Sequence, residues 1–367
     1  MPETKIHMLF INPHVLWDVT IVFLFITAVV IVYMSLYMYR RSRRKNNHGS
    51  WKNSFAEFIG ELAIIESNDE LEQLLAQQKS IMLLINRNTN ARKLMGRQLL
   101  RASKQLSGNA HMNIVRFYNL CDLGADSLRR LKRGQWFVKA AAMQELSQLD
   151  QRKYITQIYR YTDHADELVR SEARIAVVKL TGVAGLRFLD IISRPLSEWE
   201  QLGLLHELSR TAPTEFPCLN KWLLSGNNSV VEFALRLVRI YRLNVPKDVL
   251  EKCVIHPHKP IRHGAILAAA EIPDPAITDL LLNRFEVEIS VDLQLLLLQA
   301  LQINTTGFSL SFLMDGLRHP DATLKLAIAR IIRDNEPEAW ADLPNMVNAS
   351  DYPWNQIIPL LENENAA

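Results

Sequence analysis

The sequence predicts an all-α protein: one N-terminal transmembrane helix followed by an α-helical solenoid. Three features point there. Val19–Tyr39 is a run of 21 residues without a charge. Glycine is scarce, 13 in 367 residues, while Leu, Ala, Gln, Glu and Arg dominate the middle of the chain, as helices joined by short turns require. From about residue 125 an apolar pattern of helical period returns every 30–32 residues.

A helix over residues 19–39 rises about 31 Å, enough to cross a hydrocarbon core of about 30 Å. Trp17 flanks one edge, and Tyr33, Tyr37 and Tyr39 mark the other, the usual place of interfacial aromatics. A cleaved signal peptide would have a shorter apolar core and a small-residue cleavage site. Instead Arg40, Arg41, Arg43, Arg44 and Lys45 follow at once and read as a stop-transfer flank. By the positive-inside rule residues 1–18 lie outside and residues 40–367 in the cytoplasm, a bacterial inner membrane being the expected setting. Residues 1–45 hold six basic and two acidic side chains, and the rest hold 36 and 37, so the basic pI of 8.7 belongs to the membrane flank.

Residues 40–50 form the basic flank and a linker, with polar Asn46–Ser50 expected to be a short hinge. Residues 51–124 are expected to be a helical cap region. Phe55, Phe58, Ile59 and Leu62 make a helical stripe, and Ser67 to Glu70 looks like an N-cap opening a helix over 71–84. Amphipathic runs follow at 88–106 and 111–121. Residues 361–367 are expected to be a disordered tail.

Within 125–360, five segments place a β-branched residue four positions before Ala: Val138/Ala142, Val169/Ala173, Val230/Ala234, Ile261/Ala265 and Thr323/Ala327. Leu146, Val177, Val238, Ala269 and Ile331 extend the same face by another turn. Trp199/Gly203, Val291/Leu295 and Trp354/Ile358 fill the remaining periods, and the frame at Thr323 could equally start at Leu324. Each segment up to Thr323/Ala327 follows a short apolar helix, at 125–132, 153–160, 185–193, 215–224, 247–254, 276–284 and 308–317. Ser225 to Asn228, His256-Pro257 and His319 to Asp321 punctuate the turns.

Val169-Arg170 with Ala173 after Asp166, Ile261-Arg262 with Ala265 after His256-Pro257, and His319-Pro320-Asp321 before Leu324-Lys325 resemble the HEAT repeat in a short form of about 31 residues. That resemblance implies a right-handed superhelix of antiparallel helix pairs whose concave side binds other proteins.

No sequence motif of a nucleotide-binding, hydrolase, metalloprotease or kinase site is present, so no catalytic residue, metal or cofactor is expected. His256, His258 and His263 cluster, but no Cys or acidic residue stands at metal-ligand spacing beside them. Glu198 and Glu200 are expected to be solvated at a helix end. Cys121, Cys218 and Cys253 are spaced like reduced thiols of a cytosolic domain.

Charge divides unevenly. Residues 79–160 carry 16 basic and 4 acidic side chains, and residues 161–367 carry 19 and 27. Arg129, Arg130, Lys132 and Arg133 are the densest basic surface, suited to anionic lipid or an acidic partner. Nucleic acid is not expected, because the chain is tethered and its second half is acidic. The expected function is a non-enzymatic, single-pass membrane scaffold that binds protein partners in its groove. An accessory subunit of a membrane enzyme complex, such as a polysaccharide-synthesising glycosyltransferase, is the alternative. A reporter active only outside the cytoplasm, fused after Ala367, should be silent in cells, and a strong signal would reverse the orientation.

Overall fold

The helix-forming composition is realised along the chain. The computed structural model describes residues 13–211, 215–272, 274–303 and 309–364, and among them there is no strand. The expected outer segment up to residue 12 and residues 365–367 lie outside the described residues, as do the side chains of Arg40, Arg41, Arg43, Arg44 and Lys45. The chain divides into two compact units, residues 1–130 with 148–150, and residues 131–147 with 151–367.

The first unit begins with α1, Pro13–Ile64. Its stretch Thr20–Met38 is apolar on every side and entirely unburied, and it is long and apolar enough to cross a membrane. Even its threonines satisfy themselves: Thr20 Oγ1 donates to the Trp17 carbonyl at 2.8 Å and Thr27 Oγ1 to the Leu24 carbonyl at 2.9 Å. The hinge expected at Asn46–Ser50 does not form, because α1 runs through it. Gly49 alone is a poor helix former there, costing about 1 kcal/mol, which the propagating helix on both sides outweighs.

The far end of α1 becomes core. Phe55, Phe58 and Leu62 are buried against α4 (Thr89–Gln105) and α5 (Gly108–Leu120), with the Phe58 and Phe117 rings 4.9 Å apart. Asn113 Nδ2 donates to the carbonyls of Leu62 and Ile65 at 3.2 and 2.8 Å, satisfying the end of α1. Ser67 caps as expected, its Oγ accepting from the Glu70 N–H at 3.2 Å. The helix anticipated over 71–84 is two, α2 (Asn68–Gln77) and α3 (Lys79–Arg87), parted at Gln78. α6 (Leu123–Arg133) runs from the first unit into the second.

The second unit continues with α7 (Trp136–Gln148) and then runs in pairs, the first member shorter than the second in most of them. α8 (Ile155–Tyr159) precedes α9 (Glu167–Thr181), and a 3-10 segment, Gly182–Asp190, precedes α10 (Glu198–Ser209). α11 (Leu219–Leu223) precedes α12 (Asn228–Tyr241), and α13 (Lys247–Val254) precedes α14 (Lys259–Ala270). α15 (Pro275–Val287) and α16 (Val291–Ile303), α17 (Leu310–Gly316) and α18 (Ala322–Asn335), and α19 (Pro337–Met346) and α20 (Trp354–Glu364) complete the series. Second helices touch along much of the series: α9 on α10, and, from α12 onward, α12 on α14, α14 on α16, α16 on α18 and α18 on α20.

Val169, Ala173, Val230, Ala234, Ile261 and Ala265 are fully buried, with Val177, Val238 and Ala269 behind them. In α7 the stripe is carried by buried Ala142 and Leu146, while Val138 in the first turn is half-buried. Two registers, in α10 and α16, differ from expectation, and in α18 a cap selects Leu324, the second of the two starts the sequence left open. Asp321 Oδ1 accepts from the Thr323 and Leu324 N–H groups, turning Leu324 and Ile328 inward and leaving Thr323 exposed and Ala327 half-buried. In α10 a capping box joins Ser197 and Glu200, so Trp199 is 80% exposed while Leu204 and Leu208 are buried. In α16 the inward positions are Leu293, Leu297 and Leu301, and Val291 and Leu295 are half-buried. The expected tail also shortens: Leu361 is buried at the end of α20, and Glu364 accepts from Arg330 Nη2 at 2.6 Å.

The turns repeat one device, in which a side chain accepts from the N–H two residues on. His164, His256 and His319 do so through Nδ1 at 3.0, 3.1 and 3.1 Å, Ser225 through Oγ at 3.2 Å and Glu288 through Oε1 at 3.2 Å. Glu200, far from being solvated, is 2% exposed and faces Arg174, which is 0% exposed, at 3.2 Å. Arg174 Nε also donates to the Thr162 carbonyl at 2.8 Å, so this one guanidinium ties α9 to the turn before it and to α10. Removing one partner of such a pair strands a buried charge, typically at about 3–5 kcal/mol. Arg174→Met should therefore lower the urea midpoint of the detergent-solubilised chain sharply, and adding Glu200→Leu should restore most of the loss, both followed by circular dichroism.

Candidate binding groove

Three successive second helices, α10, α12 and α14, leave a groove of about 790 Å³ across their outward faces. α10 supplies Glu198, Leu202 and Leu205; α12 supplies Glu232, Leu235, Arg236, Arg239 and Ile240; the α14 side supplies Lys259, Pro260, His263, Gly264, Leu267 and Glu271. Steps of three and four residues put each set on one face of its helix. Gly264 lets α14 lie close to α12, since a Cβ there would stand 3.3 Å from Leu235 Cδ1.

The floor is apolar, with Leu202 and Ile240 more than half exposed. Charges bridge neighbouring helices around it: Glu198–Arg236 at 3.8 Å, Arg239–Glu271 at 3.9 Å and, beyond the lining, Lys259–Asp292 at 2.8 Å. The first two are long and open to solvent, so each contributes little and can exchange partners.

Arg262 holds the start of α14 in place. Its Nη1 donates to the His256 and Pro257 carbonyls at 2.9 Å each, and its Nε donates to Glu288 Oε2 at 2.9 Å. Arg284 Nη2 reaches the same oxygen at 2.6 Å. Burial alone would raise the Glu288 carboxyl, but the two guanidinium groups and the Ser290 N–H hold it down at about 2. The histidines do not converge. His256 is spent in its turn, His258 faces Glu232 at 3.3 Å, and His263 is exposed in the groove. Burial, with His258 and Arg262 adding to it, lowers the His256 pKa. Among the described residues no three His, Cys, Asp or Glu side chains are placed to share a metal ion.

Cys121 and Cys253 are buried and their thiols are pushed up to about 11 by burial, while Cys218 is half-buried. Of the basic surface residues, Arg129 pairs with Asp126, as does Arg92. Arg130 donates to Ser127 Oγ at 2.9 Å, and Lys132 and Arg133 are exposed. Apart from Glu198 and His263, which the sequence marks for other reasons, the groove residues carry no sequence signal, because they are positions that alternate with the core stripes. The buried Arg174–Glu200 pair was also missed, although Ser197-x-x-Glu200 is a capping-box pattern that would have set the α10 register.

No protein-family model matches the chain, and no curated protein matches it. Among solved structures, the crystal structure of an engineered protein aligns over 86% of this chain and 94% of its own, at 14% identity and a TM-score of 0.35, a likeness too slight to carry an argument.

With the Glu288 pKa depressed, its ion-pair stabilisation is present above the ordinary carboxylate range and is lost as pH falls toward about 2. Glu288→Gln should be less stable than the parent at neutral pH by about 2–3 kcal/mol, with the difference closing toward pH 2. Urea midpoints across that range, followed by circular dichroism, measure it.

Proposed function

We propose that this chain is a non-enzymatic, membrane-anchored scaffold. In this reading α1 spans the membrane, residues 40–367 lie in the cytoplasm, and the second unit is a HEAT-like solenoid that holds a protein partner. The observation that carries it is the groove over α10, α12 and α14, an apolar floor edged by charges of both signs. The repeated Val-to-Ala spacing and the serial contact of second helices support a stacked array, in which each pair depends on its neighbours for burial. A groove of this chemistry suits an amphipathic helix, whose apolar stripe would cover Leu202, Leu205 and Ile240 while its flanking charges replace the loose pairs Glu198–Arg236 and Arg239–Glu271. Anchoring confines the search to the membrane plane and raises the effective concentration near other membrane proteins.

A photo-crosslinking residue at Leu202 or His263 of the full chain, in native membranes, tests this. The expected result is one protein captured from both positions through an amphipathic helix, and lost from the His263 probe with Leu202→Glu at unchanged circular dichroism. A membrane enzyme as that protein would make the chain its accessory subunit. Crosslinks confined to lipid, or capture unaffected by Leu202→Glu, would remove the groove from the function.

A further inference from the structure

The second residue of each long helix in the second unit occupies the same place in the repeat. In the first three of these helices it is Phe137, Leu168 and Trp199, which are 51%, 55% and 80% exposed. In the next four it is Ser229, Pro260, Asp292 and Thr323, none of them a large apolar side chain. Single exposed apolar residues need no explanation, but a large apolar side chain exposed at the same place in three consecutive long helices is a repeated feature, a strip by its register in the repeat. Trp136 widens it, 49% exposed and edge-on to Phe137 with ring centroids 5.5 Å apart.

We infer that this strip is a membrane-docking edge, whose apolar side chains enter the interfacial layer of an anionic bilayer. The inference rests on the reading that α1 lies in a membrane, and not on the groove. Three features favour a bilayer over another occupant. The chain carries its own apolar helix of spanning length, so a bilayer is always within reach. Tryptophan favours the headgroup boundary, where its apolar body and its N–H are both accommodated, and Trp, Phe and Leu are the side chains with which interfacial surfaces enter the acyl boundary. Lys132 and Arg133, exposed at the end of α6, stand just before Trp136 and supply attraction for anionic headgroups. Glu167 and Glu198 open α9 and α10 beside Leu168 and Trp199, so the charge attraction comes from the α6–α7 end of the strip.

The full chain reconstituted in nanodiscs provides the test. Cys218→Ser leaves Cys121 and Cys253, both buried with thiols near 11, so spin labels go to introduced cysteines. Leu168→Cys and Trp199→Cys report the strip, Val29→Cys reports insertion of α1, and Ile289→Cys, at a residue 94% exposed, reports an aqueous position. In discs containing phosphatidylglycerol, the labels at 168 and 199 should be more accessible to lipid-soluble oxygen than to an aqueous nickel chelate, like the label at 29 and unlike that at 289. Lys132→Glu with Arg133→Glu, or discs of phosphatidylcholine alone, should return both strip labels to the aqueous pattern. Strip labels as aqueous as 289 while 29 remains in lipid would overturn the edge and leave the anchor standing. Labels shielded from both reagents would also overturn it, in favour of burial by protein. An aqueous label at 29 would remove the anchor itself and the inference with it.

Discussion

A short helix and a longer one, packed as a pair, have more apolar surface than they can hide from water between themselves. Each long helix of the second unit has a stripe that meets its own short partner and further apolar positions that need the next long helix. Val230, Ala234 and Val238 illustrate the arrangement in α12, where the buried stripe is continuous and the neighbour is α14. The small residues at Ala173, Ala234 and Ala265 answer the same requirement, since a larger side chain there would hold adjacent helices apart.

Polar groups are then drawn into places the apolar pattern leaves for them. The turns between short and long helices bury backbone N–H groups, and a histidine, serine or glutamate next to each turn accepts from them. Arg174 and Arg262 perform a related task at longer range, each carrying a charge into a nearly closed site where backbone carbonyls and one carboxylate satisfy it. Breaking either pair would leave a charge buried without its partner, so each pair disfavours any placement of its helix that separates the two. In a repetitive sequence that matters, because neighbouring units resemble one another closely enough to pack in a shifted register.

How far the sequence could be read follows from the same physics. The stripes at Val169, Val230 and Ile261 were legible because helical periodicity and burial coincide there. Trp199 and Val291 misled because they lie in first turns, where apolar character alone does not set the register. At Trp199 the Ser197–Glu200 capping box sets it, and in α18 the Asp321 cap chooses between the two starts at Thr323 and Leu324. Glu200 reads in the sequence as a solvated helix end, since nothing local marks its partner Arg174 as close. The groove was illegible for a different reason. Its residues are the solvent-facing positions of three helices, and only the packing of those helices makes them one surface. Asn46–Ser50 looked like a break by composition, but one glycine without a proline does not stop a helix that is continued on both sides.

That uninterrupted helix has a mechanical consequence. Between Met38, the last residue of the apolar stretch, and Phe55, the first side chain of the core it enters, α1 runs about 25 Å at ~1.5 Å per residue. Both ends belong to one hydrogen-bonded rod, with no swivel between them. Whatever tilts or rotates residues 20–38 therefore turns Phe55, Phe58 and Leu62 through the same angle, and the aromatic core around Phe117 must follow or be broken. The first unit is in this sense a lever fixed to its shaft, and torque applied at one end is felt at the other.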